Sequence, residues 1–138
     1  WQGQNHQANL FLHLNPQTCG TPVIGSHAFA YSGVTNVTIP NSVISIGANA
    51  FDTCTNLMSV TLGIAVTNIG VAAFENCANL VNFTIGNGLI SIGNNVLANC
   101  ERLTSITIPS SITNLGNYAF AWCYSLHAIY FQGNAPGL

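Results

Sequence analysis

The stretch IGANAFDTCTNLMSVTLGIAVTNIGVAAFENCANL, residues 46–80, decides the fold, because the phrase running from Ile46-Gly47 to Leu57 returns as Ile69-Gly70 to Leu80. The interval is 23 residues, and it continues in both directions. Cys54, Cys77, Cys100 and Cys123 keep it, as do Ile46-Gly47, Ile69-Gly70, Ile92-Gly93 and Leu115-Gly116. Ile24-Gly25 stands 22 residues before Ile46, so one residue is missing from the turn of that first copy. Phe29, Phe51, Phe74, Leu97 and Phe120 also recur, each after a small residue: Ala28, Ala50, Ala73, Val96 and Ala119. Self-similarity at this period marks stacked repeats. The reading places a solenoid over 24–138, with rungs starting near 24, 46, 69, 92 and 115, behind a non-repeat leader or N-terminal cap at 1–23.

Within a rung the apolar spacing changes. Ala50, Phe51, Cys54 and Leu57 stand at i, i+1, i+4 and i+7, the spacing of a short helical turn. Leu57, Val60 and Leu62 then give L-x-x-L-x-L, whose last part alternates as a strand does. Val34-Val37-Ile39, Leu80-Phe83-Ile85, Leu103-Ile106-Ile108 and Leu126-Ile129-Phe131 repeat it. Pro40, Gly63, Gly86 and Pro109 stop the strands, and pairs such as Val66 and Ile69 turn the chain inward again. The expected fold class is an α/β repeat solenoid with one short parallel strand and one helical turn per rung, about five rungs in all. A single rung cannot bury its own apolar side, so its neighbours must supply the core. At a strand spacing of 4.7–4.9 Å, five rungs make a stack of roughly 24 Å.

The combined pattern LxxLxLPxxVxxIGxxAFxxCxxL resembles the BspA-type leucine-rich repeat of bacterial and some protist surface and secreted proteins. The resemblance spans residues 24 to 131. It implies a protein-binding or adhesive surface displayed outside the cell, with a host or extracellular-matrix protein as partner, and no common reaction.

Composition narrows the function independently. Hydrophobic residues make up 49% of the 138, which excludes a disordered tail and fits one domain. The charged inventory is Arg102, Asp52, Glu75 and Glu101. One cation cannot neutralise several phosphates, which excludes nucleic acid and anionic membranes as partners. The longest nearly apolar stretch, Tyr118 to Phe131, is too short to span a bilayer, so no membrane insertion is expected. The first residues show neither a basic n-region nor an apolar h-region.

Several constellations invite chemistry. The cysteine column admits disulfides, a metal site or buried thiols; inward-pointing parallel side chains favour thiols, and a column of roughly 14 Å cannot gather four sulfurs around zinc. Cys19 stands outside it, unpaired. Asp52 and Glu75 share a column just after the core phenylalanine, near the spacing of retaining glycosidase carboxylates. That column is expected to face outward beside Ala30, Ala98 and Ala121, with no pocket. Glu75 and Arg102 are placed to pair across rungs. His6, His13, His27 and His127 form no ligand motif, and no nucleophile, base or phosphate loop is recognisable. No catalytic residue, metal or cofactor is assigned.

The outward strand positions are more informative. One column reads Asn36, Ser59, Asn82, Ser105, Ala128 and the other Thr38, Thr61, Thr84, Thr107, Tyr130. β-propensity alone favours threonine there, and Asn36-Val37-Thr38 and Asn82-Phe83-Thr84 match glycosylation sequons by chance in so Asn/Thr-rich a repeat. The array is nevertheless the candidate partner-binding surface: Asn36, Thr38, Ser59, Thr61, Asn82, Thr84, Ser105, Thr107 and Tyr130. Two rival readings are an ice-binding protein using the threonine ladder and a structural spacer in a longer array. The last rung adds a candidate self-association patch. Tyr118 stands where other rungs have Asn49, Ala72 and Asn95, and Trp122 where they have Thr53, Asn76 and Asn99, with Tyr124 beside them. On a helical turn Tyr118 and Trp122 would share a face.

Overall fold

The computed structural model describes residues 20–133 and the backbone of residues 9–11; Cys19, His6 and His13 lie outside the described residues. Strands follow one another as β1 (Asn9–Phe11), β2 (Val23–Ile24), β3 (Asn36–Thr38), β4 (Ser45–Ile46), β5 (Ser59–Thr61), β6 (Asn68–Ile69), β7 (Asn82–Thr84), β8 (Ser91–Ile92), β9 (Ser105–Ile108), β10 (Asn114–Leu115) and β11 (Ala128–Phe131). Odd-numbered strands build the front of the solenoid, in the order β1-β3-β5-β7 with a separate pair β11-β9. Even-numbered strands build a second, unbroken sheet, β10-β8-β6-β4-β2. All pairings are parallel and in repeat register, for example Val37↔Val60↔Phe83 and Ile46↔Ile69↔Ile92. Each rung thus carries two strands where the sequence pattern suggested one. β1 pairs with β3 through Asn9↔Asn36, so part of the 1–23 segment adds a strand to the front sheet.

The Ile/Leu-Gly pair explains the second sheet. Isoleucine points into the core, with Ile46 and Ile69 fully buried, and the glycine after it passes hard against the preceding rung. A Cβ on Gly70 would lie 2.6 Å from the Ala48 nitrogen, and one on Gly47 2.6 Å from the Ser26 nitrogen. Only a residue without a side chain lets the backbones come this close. Gly70 N–H then extends the ladder to Ile46 O at 2.8 Å.

The helical turn expected in each rung is absent: the described residues contain no helix. An α-helix sends every N–H to the carbonyl four residues back. Here alternate N–H groups leave the segment for the next rung, from Asn49 to Val71 O (2.9 Å), Phe51 to Ala73 O (2.7 Å) and Thr53 to Glu75 O (2.8 Å). Those between them close local turns, from Ala50 to Gly47 O and from Asp52 to Asn49 O. The alternation is made by two left-handed residues per rung, four apart: Asn49 and Thr53, Ala72 and Asn76, Asn95 and Asn99, Tyr118 and Trp122. Asparagine tolerates this conformation better than most side chains, which accounts for its frequency there. The staircase buries the same side chains that a helical turn would bury.

Phe51, Phe74, Cys77, Leu80 and Leu97 are fully buried. The phenylalanine column stacks face to face, Phe29 on Phe51 at 5.1 Å and Phe51 on Phe74 at 5.0 Å with 2° between planes. No polar or charged residue is buried among those described.

Candidate functional site

On the front face the alternation within each strand sets direction. Val37, Val60, Phe83 and Ile106 point inward and are buried, while Thr38, Thr61, Thr84 and Thr107 stand exposed on the opposite side. Register aligns Asn36, Ser59 and Asn82 in one row and Thr38, Thr61 and Thr84 in the next. Beyond the break between β7 and β9, Ser105 pairs with Ala128 and Thr107 with Tyr130. The two halves differ in how their polar groups are used. Ser59 Oγ donates to Asn36 Oδ1 at 2.6 Å, and both residues are half-buried. Asn82 and Ser105, which flank the break, are both exposed. The surface carries amides and hydroxyls and no formal charge.

The break itself was not visible in the repeat pattern. Val81 N–H reaches Met58 O at 2.9 Å and Leu62 N–H reaches Thr84 O at 2.9 Å, bracketing the β5–β7 ladder. No ladder joins β7 to β9, and a cleft of ≈ 210 Å³ opens between Asn82–Thr84 and Ser105–Thr107. Phe83 is the one signal in the sequence. Its inward column otherwise holds Val37, Val60, Ile106 and Ile129, and its ring meets Phe74 edge-on at 5.0 Å and 78°. It puts a ring where the neighbours have branched aliphatics, in the strand at which the front ladder stops. The second sheet stays closed behind it, with Gly93 N–H on Ile69 O at 2.9 Å.

The other constellations resolve into structure. Each column thiol donates to a carbonyl one rung back: Cys54 to Phe29 O (3.1 Å), Cys77 to Phe51 O (3.3 Å), Cys100 to Phe74 O (3.4 Å) and Cys123 to Leu97 O (3.0 Å). All four are free and buried. Burial pushes the Cys77 and Cys100 thiols well above their ordinary value, the neighbouring cysteines adding to it, while the hydrogen bonding pulls the other way. Asp52 Oδ1 accepts from Thr53 Oγ1 (3.0 Å) and Asn76 Nδ2 (3.2 Å), and Asn99 Nδ2 continues the row to Asn76 Oδ1 (2.8 Å). Its column does not face fully outward as expected, since Ala98 is wholly buried. Arg102 donates to Asn79 Oδ1 at 3.4 Å rather than pairing with Glu75. Among the described residues no three His, Cys, Asp or Glu side chains converge as metal ligands would. No helix among them is long and apolar enough to cross a membrane.

Tyr118, Trp122 and Tyr124 are all strongly exposed, at 71%, 53% and 76%. Tyr118 and Trp122 occupy the two left-handed positions of their rung, not one face of a helix. Tyr31, 74% exposed, is a further aromatic at the corresponding left-handed position of the first rung.

A family model described as the BspA-type leucine-rich repeat region matches residues 22–136 in six copies. Among solved structures, a leucine-rich repeat protein of T. pallidum superposes with a TM-score of 0.85 at 27% identity, over 91% of this chain and 59% of that one. A leucine-rich cell surface protein of Faecalibacterium prausnitzii gives 0.78 at 31% identity, over 94% of this chain and 36% of the other. A leucine-rich repeat protein of Bacteroides ovatus gives 0.74 at 34%, over 79% and 28%. The chain therefore spans less than two thirds of each of these structures. A comparison with curated proteins found no match.

Proposed function

We propose, starting from the fact that the chain belongs to the BspA-type leucine-rich repeat family, that it is a non-enzymatic protein-binding or adhesion module of a secreted or cell-surface protein, and that it binds through its front strand face. The observation that carries this reading is the exposed, uncharged row Thr38, Thr61 and Thr84, set in register on a parallel sheet. Such a face presents hydroxyls and amides without the cost of stripping water from charges. The surface location draws support from the F. prausnitzii relative, which is a cell surface protein. A protein partner is favoured over ice, because a periodic lattice needs an unbroken ladder and this one is interrupted between β7 and β9.

The test is binding to immobilised fibronectin, laminin, collagen and fibrinogen, with Thr38→Lys/Thr61→Lys as the disrupted form. Both side chains are exposed, so the double variant should fold while placing two cations on the face. Binding of the unmodified chain to at least one protein, lost in the variant, is the expected outcome. Absence of binding to all four, or binding that survives the substitutions, would remove the strand face as the site.

A further inference from the structure

The parted front of the β7 and β9 rungs has a chemistry of its own. In a closed parallel sheet the facing N–H and C=O groups of neighbouring strands satisfy each other. Here β7 ends a four-stranded sheet and β9 begins a two-stranded one. The bond that Val81 N–H makes to Met58 O has no counterpart from Thr104 N–H to Val81 O among the described residues. Both strands therefore turn unladdered main-chain groups toward a cleft of ≈ 210 Å³, with Thr84, Ser105 and Thr107 adding hydroxyls at its rim. The parting is local: on the adjoining turn the same two rungs remain joined by Phe74 N–H to Val96 O (3.0 Å) and Asn76 N–H to Ala98 O (2.9 Å).

The lining selects a ligand class. None of its residues is charged, so an ion would find no counter-charge, and an apolar group would leave the polar lining unpaired. Main-chain donors and acceptors side by side call for groups that both donate and accept, which is what a hydroxyl does. An aromatic platform lies next to the cleft. Tyr130, 61% exposed, is in register with Thr107 one strand further on, roughly 7 Å from the middle of the cleft at ordinary strand spacing. Tyrosine offers an apolar ring face together with a polar tip.

We infer that the cleft between β7 and β9 is a binding site for a neutral oligosaccharide, one sugar ring seating its hydroxyls against the two strand edges and the next lying against Tyr130. The site goes beyond the protein-binding reading and uses different residues from those tested for it.

The experiment is a glycan array carrying neutral and acidic oligosaccharides, probed with the unmodified chain, with Thr107→Lys and with Tyr130→Ala. It is followed by amide NMR titration with the strongest neutral binder. Both substitutions fall on exposed side chains, and thermal unfolding checks that the fold is kept. The expected result is binding to neutral glycans that weakens about tenfold or more in each variant, a difference of about 1.4 kcal/mol. The NMR shifts should be centred on residues 82–84 and 105–107. Binding confined to sulfated or sialylated glycans, no glycan binding, or neutral binding that survives both substitutions would each overturn the assignment. Loss of a matrix-protein contact in Thr107→Lys without any neutral-glycan binding would assign the cleft to the protein partner and likewise overturn it. Failure of the Thr38→Lys/Thr61→Lys test would leave this site untouched.

Discussion

Replacing Phe74 by alanine removes the ring on which the central stack depends. Phe74 is fully buried, stacks on Phe51 at 5.0 Å and meets Phe83 edge-on at 5.0 Å, so one substitution deletes two aromatic contacts. Phe→Ala in a core costs about 3–5 kcal/mol, and aromatic pairs contribute about 0.5–1.5 kcal/mol each beyond their buried area. The hydrogen-bonded rungs above and below limit collapse of the cavity, which places the loss toward the upper end, about 4–5 kcal/mol. Phe74→Leu should cost far less, about 1–2 kcal/mol, because the next rung already holds Leu97 fully buried at the same position. Urea unfolding followed by far-ultraviolet circular dichroism measures both, read as a shift in midpoint at constant slope. A loss below about 1 kcal/mol for alanine, or equal losses for alanine and leucine, would show that the stack carries little of the stability.

Three other outcomes are expected. The column glycines should respond with opposite sign: Gly70→Ala should destabilise by about 1–3 kcal/mol because backbone lies 2.6 Å from the new Cβ, whereas Gly25→Ala, with open space around it, should be neutral or stabilising by about 0.4–1 kcal/mol. Matching melting shifts for the two would refute the close-approach argument. Stability should fall above pH 9: Cys77 and Cys100 are raised in the folded chain above their ordinary 9.0, so the unfolded chain alone releases their protons there, at about 1 kcal/mol per thiol between pH 9 and 10. Below pH 9 both states hold the proton and the contribution is complete; an unchanged pH 8-to-10 loss in a Cys77→Ala/Cys100→Ala chain would contradict the assignment. Tyr118, Trp122 and Tyr124 should hold two copies together near 100 μM, where a contact of about 5.5 kcal/mol half-saturates, since no Asp, Glu, Lys or Arg follows Arg102 to keep copies apart. Tyr118→Asn/Trp122→Asn should give a monomer that is no less stable, asparagine being better suited to both left-handed positions; a chain already monomeric by sedimentation, or a destabilised variant, would count against this.

The parts of the fold legible in the sequence are those that repeat identically. The positions of Phe51 and Phe74, Cys54 and Cys77, Val60 and Leu62 follow from the requirement that rungs share one core, and all six are buried. The turn between them is not legible, because the apolar spacing i, i+1, i+4, i+7 does not distinguish a helix from a staircase of turns burying the same side chains. What separates the two is where the N–H groups go, and the signal was present in asparagine at Asn49, Asn76, Asn95 and Asn99, a poor choice inside a helix and a good one at positive φ. The second sheet is hidden in the same way, since the recurring Gly47, Gly70 and Gly93 mark the repeat without revealing that their role is close approach of two backbones.

The candidate site divides along the same line. Its outward rows were legible because exposure follows from alternation once the inward residues are known. The cleft was not, because it arises where the repeat is violated, and a consensus reading averages that position away. Phe83 is apolar like the rest of its column and passes any hydrophobic-pattern test; only its size differs, and the consequence of size appears when rungs are stacked at fixed strand spacing. In a solenoid each rung packs on its neighbours, and the front ladder stops at the strand that carries the oversized residue. A repeat protein built this way presents two kinds of surface, a regular one set by the consensus and a local one set by its exceptions. Phe83→Val, which restores the residue type of Val37 and Val60, should close the ladder between β7 and β9 while leaving the threonine rows on either side in place.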